Sequence, residues 1–182
     1  ISWSGGSIDA DGRSGGDGGE VVVEGASIST SNTQIHSNGS AGGQGGGIFL
    51  RATGDVSVDG PISANSTGSF GVAGSISVEA GPSGTVSISK ALSAKTDING
   101  LADGDISIGP ACSVALIGGS ATLKSRATSS AADGEGNTTI SASSAISLTG
   151  QTILRATDNG SNQIECRCID TNSDRVCDGG CV

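Results

Sequence analysis

Aromatic side chains are nearly missing from this chain: Trp3, Phe49 and Phe70 are all it has, 2% of 182 residues. Large rings therefore cannot dominate a core, which must be built from Ile, Val, Leu and Ala in a thin, regular cross-section. Proline is scarce as well, with 3 residues against 32 glycines. Basic residues number 9, are scattered, and leave a net charge of -9. That balance argues against a nucleic-acid or anionic-membrane partner, because both need clustered Lys and Arg to displace counterions. No apolar run approaches the roughly 18 residues that span a bilayer, so no membrane insertion is expected. The start, Ile1-Ser2-Trp3, has no basic-then-apolar leader pattern, and a secreted chain would already have lost its leader.

Catalytic equipment is equally thin. His36 is the only histidine, and as the neighbour of an inward Ile35 it is expected to point outward, so no Ser-His-Asp triad is readable. Polysaccharide cleavage would need paired carboxylates and aromatic platforms for sugar rings, and three aromatic residues supply such a groove poorly. The chain is therefore expected not to be an enzyme. The Gly-Gly runs open no helix and are not phosphate loops.

What the chain does contain is short-period alternation. In Gly47 to Gly74, Ile48 and Leu50, then Val56 and Val58, then Ile62 and Ala64 alternate with small or polar residues, with turn formers between the runs. Period-two alternation of this length marks strands with one buried face. Disorder is the rival reading of so much Gly and Ser, but a disordered chain would lack ordered β-branched alternation.

The pattern repeats. The third strand of each unit, an aliphatic residue followed two positions on by Ala or Ser, occurs at Ile8/Ala10, Ile35/Ser37, Ile62/Ala64, Leu92/Ala94, Leu123/Ser125 and Leu154/Ala156. The spacings are 27, 27, 30, 31 and 31 residues, a repeat with loop insertions that grow toward the C-terminus. The first strand recurs at Val21/Val23, Ile48/Leu50, Ile76/Val78, Ile106/Ile108, Ile140/Ala142 and Ile164/Cys166. The second recurs at Ile28, Val56/Val58, Val86/Ile88, Val114/Leu116 and Ile146/Leu148. A long Gly-rich corner follows each third strand.

Three strands per unit and a period near 30 describe a solenoid in which stacking buries the face that one coil cannot bury alone. The expected fold is all-β: a right-handed parallel β-helix of about five to six three-strand coils over residues 1–163. A small Cys- and Asp-rich segment over 164–182 completes the chain. The right hand follows the usual crossover rule, and an antiparallel sandwich is the rival. The unit resembles the Gly-rich β-helical repeats of bacterial exoproteins and adhesins, the filamentous-haemagglutinin-like and pectin-lyase-like group. That resemblance implies a secreted or cell-surface location and a scaffold or adhesive role, and supplies no catalytic residues.

The two ends carry the functional expectation. Ile1 and Trp3 stand where a second strand should be, followed by Ile8, while Ile164, Cys166 and Cys168 fit a first strand with no second strand after it. These partial coils are complementary, so a homo-oligomer stacked head to tail into a non-closing filament is expected. A piece of a longer β-helix would look the same, and an adhesin presenting a corner edge to surface glycans is the alternative function.

In the C-terminal segment, Asp170, Asn172, Asp174 and Asp178 fall at positions 1, 3, 5 and 9 of a calcium-loop pattern, with the Val176 carbonyl at position 7. Alternating oxygen ligands in a tight loop suit a hard cation. The run resembles the aspartate-rich loops of thrombospondin type 3 repeats, which implies bound Ca2+. Arg175 stands where an EF-hand has Gly and Cys181 where it has Glu, and a disulfide-stapled acidic turn is the alternative. Cys166, Cys168, Cys177 and Cys181 are expected to form two disulfides, in an oxidising compartment. Cys166 to Cys168 would be strained, which leaves two pairings open. Cys112 is left over, as a buried free thiol or an intersubunit partner. Asn38, Asn65, Asn137 and Asn159 open glycosylation sequons, all in the long corners.

Overall fold

The computed structural model describes residues 1–96, 101–117, 122–125, 136–149, 153–156 and 162–166. Every regular element among them is a strand. The first three rungs are β1 (Ser2–Ser4), β2 (Ser7–Asp9) and β3 (Val21–Gly25); β4 (Ile28–Ser31), β5 (Gln34–His36) and β6 (Ile48–Ala52); β7 (Val56–Asp59), β8 (Ile62–Ser63) and β9 (Ile76–Glu79). Then come β10 (Thr85–Ile88), β11 (Leu92–Ser93) and β12 (Ile106–Ile108); β13 (Ser113–Leu116), β14 (Thr122–Ser125) and β15 (Thr138–Ala142); β16 (Ala145–Leu148), β17 (Ile153–Ala156) and β18 (Asn162–Cys166).

Three six-stranded sheets result, in the orders β1-β4-β7-β10-β13-β16, β2-β5-β8-β11-β14-β17 and β3-β6-β9-β12-β15-β18. They gather the second, third and first strands of the sequence unit, and within each sheet neighbouring strands are parallel. The fold is a parallel β-solenoid of about five turns, and the antiparallel sandwich is excluded.

The register is the one that stacking of like residues demands. In the second sheet Ile8, Ile35, Ile62, Leu92, Leu123 and Leu154 stand level in one column. In the first sheet Ile28, Val56, Val86, Val114 and Ile146 do the same. Ile35, Ile62, Leu92 and Leu123 are at most 1% exposed. Each such side chain withdraws its apolar surface from water only because a rung lies above and below it, at about 25 cal/mol per Å².

Two placements differ from the sequence reading, Ile140/Ala142 and, level with it, Ile164/Cys166. Ile140 is level with Ile108, and it is Thr138 that stands level with Ile106. The displacement is two residues, a whole pleat, so the inward parity is kept and Thr138 is buried in place of an isoleucine. The apolar landmark misled because the inward residue that opens β15 is not apolar.

The Ala-or-Ser landmark has a physical cause. Gly19, Gly46, Gly74 and Gly104 each donate a backbone hydrogen bond to the carbonyl of Ala10, Ser37, Ala64 and Ala94 respectively, at 2.6 to 3.0 Å, closing the long corner. The small side chains of Ala64, Ala94 and Ser37 are completely buried beneath this closure. A Cβ on Gly46 would overlap the carbonyl oxygen of Gly19; on Gly74, that of Gly46; on Gly104, that of Gly74. This glycine column is required by close backbone approach rather than by unusual dihedral angles.

Candidate functional site: the solenoid edges and the outer ladders

The inward columns change exposure abruptly at the outermost strands. In the first sheet Thr30, Val58, Ile88 and Leu116 are at most 1% exposed, whereas Leu148, level with Leu116, is 43% exposed. In the third sheet Ile140 is buried and Ile164, level with it, is 49% exposed. At the opposite edge Ile1 is 49% exposed. Trp3, level with Thr30, and Ile8, level with Ile35, are half-buried against the core. These apolar residues are open because, among the described residues, no strand lies beyond them. The structure thus brings Ile1, Trp3 and Ile8 together on one edge, and Ile164 and Leu148 on the other. Leu148 was passed over as an edge residue because it sits in an ordinary second strand, and counting strands per column would have found it.

Long corners are tied by a polar ladder. Asp11 Oδ1 accepts the Asn38 backbone N–H at 2.6 Å, and Asn38 Oδ1 accepts that of Asn65 at 2.9 Å. Asn65 Oδ1 in turn accepts the Lys95 N–H at 3.1 Å and the Ser93 hydroxyl at 2.8 Å. Two of the sequon asparagines therefore hold successive rungs together through their carbonyl oxygens. Asn137, directly before β15, donates both its backbone N–H and its Nδ2 to Asp105 Oδ1, at 2.9 and 3.2 Å. Asn159 lies outside the described residues.

Two further constellations sit on outer faces. Arg51 lies between Glu24 at 3.3 Å and Glu79 at 3.7 Å, and its guanidinium stacks over the Phe49 ring, 5.0 Å from its centre. Phe49 borders a shallow recess of about 390 Å³ with Glu20, Ser75 and the backbones of Gly19 and Gly46. On the second sheet His36 is level with Ser63; its Nδ1 lies 2.8 Å from Ser63 Oγ and its Nε2 2.9 Å from Gln34 Oε1. With Gln34 Oε1 accepting from Nε2–H, Nδ1 accepts the Ser63 hydroxyl. This neighbour was legible only through the equal offsets of His36 from Ile35 and Ser63 from Ile62.

Phe70 is 74% exposed with a φ of 68°, a conformation that costs a bulky residue on the order of 1 to 3 kcal/mol. It occupies the long corner between β8 and β9, where Leu101 on the next rung is also exposed and donates its N–H to Gly71 O at 2.8 Å.

The calcium-loop residues Asp170, Asn172, Asp174, Val176 and Asp178 lie outside the described residues, as do Cys168, Cys177 and Cys181. Cys166 is placed in β18, level with Ala142. Cys112 is a half-buried free thiol directly before β13. Among the described residues no group of three or more His, Cys, Asp or Glu side chains is arranged to hold a metal ion.

No protein-family model matches the chain, and no curated protein and no solved structure is significantly similar to it.

Proposed function

We propose that this chain is a structural subunit: a secreted or cell-surface β-solenoid that extends by strand addition at its edges, head to tail, into a fibre. The observation that carries this reading is the pair of outermost edges among the described residues. Both present apolar residues, Ile1 and Trp3 on one side and Leu148 and Ile164 on the other, in columns whose interior members are buried. Unpaired parallel edges with apolar inward positions are templates for another strand. The glycine-rich rungs fit a scaffold of the bacterial exoprotein and adhesin type. In this reading residues 164–182 lock the junction through disulfides among Cys166, Cys168, Cys177 and Cys181 and through Ca2+ on a thrombospondin-type loop.

Electron microscopy and sedimentation of the chain, with and without chelator and reductant, test this. Rods of indefinite length that shorten when Ca2+ and disulfides are removed are expected. Single prisms at every concentration overturn the reading, and point instead to edges continued by further rungs of the same polypeptide. A second reading, an adhesin that takes a carbohydrate, draws on the recess beside Phe49. There, Phe49→Ala is expected to abolish retention on immobilised glycans without altering particle length.

A further inference from the structure

We infer, resting on the secreted reading above and not on assembly, that Asn38 and Asn65 are positions at which this fold carries an N-linked glycan, whereas Asn137 is not. All three open sequons: Asn38-Gly39-Ser40, Asn65-Ser66-Thr67 and Asn137-Thr138-Thr139. The structure separates them by the amide atom that each has already committed. Asn38 and Asn65 use Oδ1. That of Asn38 accepts the Asn65 N–H at 2.9 Å, and that of Asn65 accepts the Lys95 N–H at 3.1 Å and the Ser93 hydroxyl at 2.8 Å. Among the described residues neither Nδ2 makes a hydrogen bond and no buried side-chain nitrogen lacks a partner, so both amide nitrogens face solvent. Asn137 is the reverse case. Its Nδ2 donates to Asp105 Oδ1 at 3.2 Å, beside the bond of 2.9 Å from its backbone N–H.

Glycosylation replaces one Nδ2–H bond. The nitrogen attacks the anomeric carbon of a lipid diphosphate-linked oligosaccharide, and the bond from that carbon to the phosphate oxygen breaks. The lipid diphosphate leaves with the electron pair, and the amide proton passes to a base of the transferring enzyme. Nothing is oxidised or reduced, and Oδ1 stays a carbonyl acceptor. A glycan on Asn38 or Asn65 therefore leaves every bond of the Asp11–Asn38–Asn65 ladder in place. On Asn137 the sugar would sit on the atom that ties the corner to Asp105, and that bond is put at risk. Transfer precedes folding, so the fold acts as a filter. Chains whose glycans tolerate stacked rungs complete the solenoid and are exported.

The test is the full chain behind a cleavable leader in a eukaryotic secretory host, the secreted material being deglycosylated by an amidase in heavy-oxygen water and its peptides weighed. The isotope label is expected at Asn38 and Asn65 in several-fold excess over Asn137. Thr67→Ala and Ser40→Ala, which keep the ladder asparagines, should abolish the label at Asn65 and Asn38 respectively. The glycosylated chain should melt no lower than the double variant. Secreted chain bare at both Asn38 and Asn65, or labelled at Asn137 as heavily as at Asn65, overturns the inference. So does a glycosylated chain that melts several degrees below the double variant, or one that is retained while the double variant is exported, because the ladder has then not survived the sugar. A label on the recombinant chain with none on the chain from its native source leaves the inference standing and overturns the secreted reading.

Discussion

The long and short corners of the solenoid answer to different constraints. Between the second and third sheets the first four corners span residues 10–20, 37–47, 64–75 and 94–105, and keep their length within one residue. Over the same rungs the short corners between the third and first sheets vary more, spanning 26–27, 53–55, 80–84 and 109–112. The step of the repeat from 27 to 30 residues therefore falls mainly at a tight bend, since 80–84 is two residues longer than 53–55 while the long corner 64–75 is one longer than 37–47. The reason lies in what each corner is tied to. Long corners carry the glycine column and the Asp11–Asn38–Asn65 ladder, which tie each rung to the next at fixed positions. A short corner such as Gly81-Pro82-Ser83-Gly84 is tied to its neighbours only at its end glycines, Gly81 N–H to Gly54 O at 3.2 Å and Cys112 N–H to Gly84 O at 2.9 Å, while Pro82 and Ser83 between them are exposed to solvent.

The sharpest way to break this contrast is a methyl group. Gly74→Ala places a Cβ against the Gly46 carbonyl in the middle of the stack, and a loss of about 3 kcal/mol is expected in urea unfolding. Gly5, in a short corner with φ of 73° and nothing within 4 Å of an added Cβ, should accept Asn for less than about 1 kcal/mol. Insertion is the next test. Two glycines placed between Pro82 and Ser83 should cost about 0.6 kcal/mol or less, the entropy of a longer loop. The same pair between Asn65 and Ser66 should cost about 2 kcal/mol, because it dislocates the ladder and the buried bond from Ser66 Oγ to Gly43 O at 2.6 Å. A side-chain truncation separates the ladder's chemistry from its shape. Asn65→Ala should lower stability by about 1 to 2 kcal/mol, and Asn65→Asp, which keeps an acceptor for Lys95 N–H and Ser93, should recover most of it in a thermal melt.

The columns were legible in the sequence because each inward position must be apolar and small enough to stack on its own kind. Ile35, Ile62 and Leu92 announce themselves by type and spacing. Thr138 shows where that logic fails: a buried hydroxyl residue in an isoleucine column leaves no apolar mark. The ladder was hidden for another reason. Asn38 and Asn65 are also common turn formers and sequon residues, and only the next rung, 27 residues away, reveals that their side-chain oxygens are spoken for. Glycine suits the long corners both for positive φ and for close backbone approach, and at Gly46, Gly74 and Gly104 it is the close approach that decides.

That column also gives the molecule a unit of length. Since Gly46 and Gly74 hold equivalent positions above Gly19 and Gly46, removing 48–75 would join Gly47 to Ile76 and leave a solenoid one rung, about 4.8 Å, shorter with its closures intact. Gene duplication or deletion in whole rungs can then set the height of the solenoid the way links set the length of a chain, with the register of the columns kept.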